Sequence, residues 1–378
     1  LRSFVGVWYV AASAVARADP GYAACCLTVL GALMLEEDVP SISWPADGLE
    51  TVAACPLCGS DRRVLAYADL RDWFFECAPG AWSLYECQDC GSAYLDPRPN
   101  AATIGRAYRS YYTHAANPGP VSQTRRVWHR LRADYLKAAF GAADAAALWP
   151  GRWLVRMFPG WRQGIDATFG RNLPRIDGQS SGLLDIGCGN GHFLEFARSA
   201  GWKVKGIDFD PAAVQIARSK GLDVQEGSVS LLEGESSLYD CITLSHVLEH
   251  VHDPLDLLRS CHRLLKPGGV LWLETPNMNS AGRNAFGAYW RGLEAPRHLT
   301  LFSRQCLLDC LAALGFRDIQ DRFSSFSTEA MWRESRIIVS RAGASRTLAQ
   351  SLVGRIKAEI QAHGSPECRE FITLVCKK

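Results

Sequence analysis

The sequence predicts a three-layer α/β fold, in which helices cover both faces of a mostly parallel sheet. Short apolar runs typical of buried strands alternate with amphipathic helical runs from about residue 181 onwards, as in parallel sheets with crossover helices. A glycine-rich loop joins the first of these strands to its helix. Two Cys-x-x-Cys pairs precede this region, and they indicate a small, separate metal-binding element.

Composition limits the classes of partner. The chain has 378 residues, with 41 Lys and Arg against 39 Asp and Glu, so its formal net charge is +2. This balance excludes a strong overall basic field for nucleic acid or anionic lipid, although a local basic patch remains compatible with it. Ten of the 14 Cys stand outside the two pairs, and none of these ten forms a further Cys-x-x-Cys pair. We therefore predict a metal site in a reducing, cytoplasmic setting and no disulfide framework.

Residues 1–50 contain two apolar runs, at 4–16 and 22–35. Neither reaches the roughly 18–20 residues that a membrane-spanning helix needs, so we expect no stable membrane span. We expect a poorly ordered leader, or sequence upstream of the true start, in preference to a signal peptide.

Residues 51–100 are predicted to form a zinc ribbon. Cys55 and Cys58 form one knuckle, and Cys87 and Cys90 form the second. Two such pairs supply the four thiolates of a tetrahedral zinc site, which leaves no open position for chemistry, so the zinc should be structural. Cys77 lies between the knuckles and could substitute as a ligand. The alternative is a set of buried free thiols.

Residues 101–180 are predicted to be a helical linker and lid, with helices at 101–112, 122–140 and 142–157. The second helix carries several basic residues. These residues form either a solvated helix face or a clamp for an acidic or phosphorylated substrate.

The strand at 183–186 ends in Asp185-Ile186 and is followed by Gly187-Cys188-Gly189-Asn190-Gly191. This G-x-G-x-G spacing differs from the dinucleotide fingerprint, and no Lys-Ser/Thr follows it as in a phosphate-binding P-loop. The next strand ends in Asp208, the place for a carboxylate that accepts both hydroxyls of a ribose. A third strand runs into Ser228 and Val229, placed to border an adenine.

Four segments in this order, LLDIGCGNGHFLEFA, GIDFDP, YDCITLSHVLEHVHDP and LLKPGGVLWLETPN, resemble class I S-adenosylmethionine-dependent methyltransferases. The segments WRGL and PRHL at 290–299 resemble a branch found among bacterial small-molecule and sugar-modifying methyltransferases, some of which carry an N-terminal zinc ribbon. The resemblance implies a Rossmann-like, seven-stranded sheet whose last strand, at 371–376, is antiparallel. It assigns 181–378 to the methyltransferase domain, with a helical insertion at about 328–362.

The resemblance also implies roles for individual residues. The methionine part of S-adenosylmethionine should be held by Asp185 and the loop residues Gly187, Cys188, Gly189 and Gly191. Asp208 should bind the ribose, and Phe209, Ser228 and Val229 should border the adenine. Ser245 and His246 should lie beside the sulfonium.

Methyl transfer to a hydroxyl requires removal of its proton, and a histidine with a near-neutral pKa suits that task. His250 and His298 are the candidate bases, while His246 is expected to be a cofactor neighbour. Arg297 could hold an anionic acceptor or pair with an acidic surface residue.

We therefore predict transfer of a methyl group to a small-molecule acceptor, with a hydroxyl of a sugar or secondary metabolite favoured. The acceptor could be a nucleotide-linked sugar or a glycan. Two alternatives remain open at this stage: methylation of RNA, which the net charge disfavours, and a non-catalytic module that binds the cofactor or zinc.

Overall fold

The computed structural model describes residues 43–108, 122–142, 146–175, 181–323 and 326–378. Most of the predicted leader, residues 1–42, lies outside the described residues, as does the end of the first predicted linker helix, 109–112. In the described part of the chain, no helix is long and apolar enough to cross a membrane.

The ribbon region begins earlier than residue 51. Its strands are β1 (Leu49–Glu50), β2 (Arg63–Leu70), β3 (Trp82–Cys87), β4 (Ala93–Leu95) and β5 (Arg98–Pro99). β1 pairs with β5, and the buried Trp44 packs edge-on against Trp82. Residues 43–50, which the sequence placed in the leader, are thus part of the ribbon in the structure.

The main sheet has seven strands, as predicted. They are β6 (Gly182–Ile186), β7 (Lys203–Asp208), β8 (Val224–Glu226), β9 (Tyr239–Ser245), β10 (Leu265–Pro276), β12 (Arg317–Asp321) and β13 (Phe371–Lys377). Their order across the sheet is β12-β13-β10-β9-β6-β7-β8. β6 to β10 are parallel, and β13 runs antiparallel between β10 and β12. The remaining strand, β11 (Thr300–Leu301), pairs with β4 and completes a four-stranded sheet with the ribbon.

Ten α-helices lie in the described residues: α1 (Gln123–Phe140), α2 (Gly151–Met157), α3 (Pro159–Thr168), α4 (His192–Ser199), α5 (Pro211–Ser219), α6 (Pro254–Leu264), α7 (Ala281–Phe286), α8 (Arg304–Ala313), α9 (Phe326–Arg341) and α10 (Leu352–Gly364). Asp210, Asp253 and Ser303 cap their helices by accepting a first-turn backbone N–H. The helix predicted at 142–157 is shorter in the structure, where it begins at Gly151 after Pro150. A separate helix begins at Pro159, beyond the predicted range, because proline fits the first turn of a helix but not its interior.

The sheet is buried on both faces because successive strand residues point to opposite sides. Leu183 and Cys241 face α1, α4 and α5 in one core cluster. Their neighbours Leu184 and Ile242 face α6 and α8 in another. This arrangement explains why the strand sequences are almost continuously apolar.

A third apolar cluster joins the ribbon to the C-terminal part of the chain. Trp82 and Leu84 of the ribbon pack with Trp290 and with Trp332 of α9. A ribbon of this size buries too little apolar surface to be stable by itself. Here the ribbon shares its core with the methyltransferase-like region.

A buried ion pair reinforces this junction. Asp72, in the loop after β2, accepts hydrogen bonds from Nη2 and Nη1 of Arg297 at 2.6 and 2.8 Å. The two side chains are 2% and 0% exposed. Backbone N–H groups of Phe75, Cys77 and Ala78 also donate to the Asp72 carboxylate. Both carboxylate oxygens therefore accept hydrogen bonds from the protein.

Removing one partner of this pair leaves the other charge buried. We therefore expect Asp72→Ala to lower the free energy of unfolding by about 3–5 kcal/mol, measured by urea denaturation. The matched control is Glu76→Gln in the same loop, because Glu76 forms a largely exposed pair with Arg341. The control should change the free energy of unfolding by less than about 1 kcal/mol. Equal losses of stability in the two variants would contradict the stabilising role of the buried Asp72–Arg297 pair.

Candidate functional site

Steric contacts and backbone conformation require glycine at two positions of the loop after β6. Gly187 and Gly191 have φ of +72° and +78°, in the left-handed region. A Cβ atom at Gly187 would lie 2.3 Å from Val247, and one at Gly191 would lie 2.4 Å from Leu222. The loop backbone is therefore pressed against the protein on one side, which leaves its other side to face a ligand.

Asp185 is fully buried beneath this loop. Its Oδ1 accepts a hydrogen bond from Thr243 Oγ1 at 2.7 Å and is ion-paired with Arg171. Burial raises the pKa of Asp185, and the positive charge of Arg171 offsets this only in part. The other oxygen, Oδ2, is buried without a hydrogen-bond partner among the described residues, so it can still accept a hydrogen bond from a ligand.

A cavity of about 710 Å³ lies beside the glycine loop, and it is lined by Arg171, the ion-pair partner of Asp185, but not by Asp185 itself. One wall consists of the loop residues Gly187, Cys188 and Gly189 together with Ser245 at the end of β9. The opposite wall comes from α1 and from the segment that carries Arg171. The structure thus brings the predicted loop, Ser245 and the helical cover together around one space of ligand size.

Asp208 lies at the end of β7, next to the loop. Its Oδ2 accepts the N–H of Gly189 at 2.7 Å, and its Oδ1 accepts the N–H of Asp210 at 2.9 Å. Phe209 is more than half exposed, and Ser228 caps the 3₁₀ turn that begins at Val229. These four predicted residues lie along the neighbouring strand ends, outside the residues that line the cavity.

His246 does not line the cavity either. Its backbone φ is +54°, and its ring lies between Glu249 (3.3 Å) and Glu274 (3.5 Å), edge-on to Phe371. Burial alone would lower the pKa of His246, but the two carboxylates raise it to about 10. The ring is therefore a cation at neutral pH and cannot serve as a base there.

The candidate bases His250 and His298 lie together, with their ring centroids 4.7 Å apart. His298 Nδ1 is 2.7 Å from the carbonyl of Gly292, and His250 Nδ1 is 3.0 Å from the carbonyl of Arg297. A carbonyl only accepts, so each Nδ1 carries the proton and each Nε2 keeps a lone pair. Burial lowers the pKa of His298 to about 4, which keeps this ring neutral.

Tyr108, at the end of a 3₁₀ helix (Ile104–Tyr108), connects this pair to the cofactor side. Its hydroxyl oxygen lies 2.9 Å from His250 Nδ1. Its ring packs edge-on against Phe209 at 5.0 Å. The linker from the ribbon therefore reaches over the strand ends between the expected adenine site and the histidine pair.

Sequence reasoning missed Tyr108, Arg171 and Asp72. None of the three lies in a spaced motif, so only the folded chain shows their contacts. The prediction for Arg297 was also wrong. Its side chain is buried against Asp72 and Glu294, so it neither faces an acceptor nor pairs with a surface acid.

Among the residues that the structure describes, two groups of side chains have the spacing of metal ligands. Glu249, His250 and His298 offer ligand atoms within 4.8 Å of one another. However, the two oxygens of Glu249 already contact His246 and Thr275. We therefore describe this group as a hydrogen-bonded polar network.

The four knuckle sulfurs form the other group, also within 4.8 Å. Cys55 and Cys90 are 3.7 Å apart, and Cys58 and Cys87 are 3.5 Å apart. A tetrahedral zinc with bonds of about 2.3 Å requires sulfur separations of about 3.8 Å. The donor set therefore fits zinc, and we propose that these four thiolates hold it. Cys77 instead contacts Asp72 and the carbonyl of Ala107.

We expect Cys55→Ser and Cys90→Ser each to lose about one zinc per chain and to loosen the ribbon. The measurement is metal content by mass spectrometry with thermal unfolding. Cys77→Ser is the matched control and should keep its zinc. Full zinc retention in both ligand variants would refute this ligand set.

The charge of His246 makes a prediction for pH dependence. Because its folded pKa is raised from 6.5 to about 10, its stabilising contribution is complete below about pH 6.5. It is lost as the pH rises through about 10. The stability difference between the wild type and His246→Gln should therefore be largest near pH 6 and shrink towards pH 10. Titration of the His246 ring near 6.5 in NMR spectra would contradict this.

A family model and several known proteins are similar to parts of this chain. Residues 156–321 match the family model described as "Methyltransferase domain". A ubiquinone biosynthesis O-methyltransferase of Xanthomonas oryzae pv. oryzae is 40% identical over 114 residues, which are 28% of this chain and 48% of that protein. Its counterpart in Pseudomonas aeruginosa is 38% identical over 104 residues, 26% of this chain and 45% of that protein.

The chain thus spans about half the length of the curated relatives it matches. Among solved structures, a SAM-dependent methyltransferase from Archaeoglobus fulgidus aligns with 21% identity and a TM-score of 0.41, covering 60% of this chain and 98% of that one. The family model and the curated relatives thus show that this chain contains a region, residues 156–321, that is similar to the methyltransferase domain.

Proposed function

We propose that the chain is an enzyme that transfers the methyl group of S-adenosylmethionine to a hydroxyl of a small-molecule acceptor, with a sugar or a secondary metabolite favoured. The observation that carries the proposal is the cavity walled by the glycine loop, Ser245 and Arg171, the ion-pair partner of Asp185. The curated relatives are named O-methyltransferases, which favours oxygen as the accepting atom.

The residues around the cavity fit the cofactor. The unpartnered Oδ2 of Asp185 can accept from the methionine ammonium group, and Arg171 lies beside it to attract the carboxylate. The backbone at Gly187, Cys188 and Gly189 would lie against the methionine chain. When bound, the cofactor supplies a methyl group that its positive sulfur has already activated.

The nucleoside would lie along the ends of β7 and β8. Asp208 is held by the N–H of Gly189 and the N–H of Asp210, and each carboxylate oxygen retains capacity for a ribose hydroxyl. Phe209 would cover one side of the adenine, and Ser228 and Val229 would border its edge. Ser245 and His246 follow β9, where we place the sulfonium end.

The acceptor would approach His250 and His298. Both rings have Nε2 as the acceptor nitrogen, and His298 is neutral at physiological pH. His250 Nε2 would take the proton of a hydroxyl as its oxygen attacks the methyl group in line with the sulfur. His298, whose low pKa makes it a weak base, would orient the acceptor by accepting a hydrogen bond at Nε2. Holding the two reactants in that line accounts for much of the rate that the protein itself contributes.

The proposal predicts that Asp208→Ala weakens binding of S-adenosylhomocysteine by about 1–3 kcal/mol through lost ribose hydrogen bonds, measured by calorimetry. Asp210→Ala is the matched control, because the Asp210 side chain only caps α5. The control should bind within about twofold of wild type. Equal affinity of wild type and Asp208→Ala would show that the ribose is placed wrongly.

Turnover is tested by the release of S-adenosylhomocysteine with hydroxylated small molecules, including phenols, free sugars and nucleotide-linked sugars. For an accepted substrate, His250→Gln should lower kcat by about 10²-fold or more while cofactor affinity is kept. His262→Gln is the control, since His262 lies in the last turn of α6 and packs on Phe316. Cofactor binding without turnover on any acceptor would favour the non-catalytic alternative.

A further inference from the structure

A second cavity, of about 530 Å³, lies between α3 and the ends of β12 and β13. It is separate from the cofactor cavity. Asn172 lines the second cavity, whereas its neighbour Arg171 lines the first. The indole N–H of Trp272 donates to Asn172 Oδ1 at 3.4 Å, which fixes the segment that divides the two spaces.

Four arginines line this cavity: Arg156 and Arg162 on the helical cover, and Arg322 and Arg369 beside the sheet. No ion pair joins any of them to an acid within the residues that the structure describes. The four positive charges around this cavity repel each other. An anion bound in the cavity would reduce that repulsion, so the charges favour anion binding.

The two carboxylates in the cavity wall neutralise these charges only in part. Asp321 is bound by another arginine, Arg304, at 2.6 and 2.8 Å. Asp166 accepts the hydroxyl of Tyr135 at 2.6 Å, and burial raises its pKa. The excess of positive charge therefore remains.

Arg369 is also held in place for binding. Its Nε and Nη1 donate to the carbonyls of Ala362 (3.2 Å) and Arg322 (3.3 Å), and its guanidinium lies 4.8 Å from the ring centre of Phe323. Such a half-buried, oriented guanidinium loses little conformational entropy when it binds a ligand.

From this convergence of four unpaired guanidinium groups on one cavity, we propose a binding site for the phosphoryl group of a small molecule. Guanidinium groups bind phosphoryl oxygens through paired, charge-assisted hydrogen bonds. The volume falls within the range of about 300–1,000 Å³ that small-ligand sites have. The site stands independently of the methyl-transfer proposal.

The test is calorimetry with inorganic phosphate, pyrophosphate and a nucleoside diphosphate, at constant ionic strength and with the cofactor cavity saturated by S-adenosylhomocysteine. Wild type should bind pyrophosphate, and Arg162→Gln should bind it about tenfold more weakly or worse. Arg162 is exposed, so this variant should fold normally. Arg369→Gln should have a larger effect. Arg259→Gln is the matched control, because Arg259 is an exposed arginine on α6 that pairs with Asp256.

Three results would overturn the proposal. They are no binding of either inorganic anion by wild type at millimolar concentration, equal affinity in Arg162→Gln, or binding that disappears when S-adenosylhomocysteine is present. A nucleoside diphosphate that binds more tightly than pyrophosphate would support it and identify the phosphoryl group as part of a nucleotide. A carboxylate that binds as tightly as pyrophosphate would overturn the preference for phosphoryl groups.

Discussion

The buried side chain of Arg297 is the interaction on which the arrangement of the site depends. Its guanidinium binds Asp72 of the ribbon and the carbonyl of Ala107, while its own carbonyl accepts from His250. One residue therefore fixes the ribbon, the turn that presents Tyr108 and the orientation of a candidate base. Because a buried guanidinium is costly without a bidentate partner, the ribbon and the methyltransferase region are tied energetically as well as sterically.

This coupling gives the ribbon a role beyond its proposed metal binding. The four knuckle cysteines lie at one end of the ribbon, and Asp72 lies in its long loop, next to the histidine pair. The ribbon sheet also takes β11, whose two residues directly follow His298 and Leu299. A metal that stabilises the ribbon would thus also stabilise the loop that contains His298, although it would take no part in the reaction.

Charge is distributed unevenly around the strand ends. His246 is cationic between two glutamates, His298 is neutral in a buried position, and Asp185 shares its charge with Arg171. The second cavity is lined by arginines in excess of carboxylates. The net charge of +2 for the whole chain therefore does not describe the charge at any one site, because short-range pairing decides the field inside each cavity.

Much of the fold followed from the sequence, because strand and helix periodicity depends on local pattern. The seven strands and the terminal antiparallel strand were predicted. Errors occurred where the pattern was weak. Residues 43–50 joined the ribbon through Trp44, and the helix predicted from residue 142 begins only at Gly151, after Pro150. The site residues could be predicted only where a motif carried them, so the loop from Gly187 to Gly191 was found and Arg171 was not.

By itself, the sequence determined the glycine loop, the acids at 185 and 208 and the two cysteine pairs, since each is a close-range requirement of backbone geometry or ligand spacing. Only the tertiary structure decided which charges meet. Asp72 and Arg297 are more than two hundred residues apart in the chain, and the four arginines of the second cavity come from four separate segments. Long-range pairs leave no periodic signal, because burial and partner are set by how the elements pack and not by neighbours in the sequence.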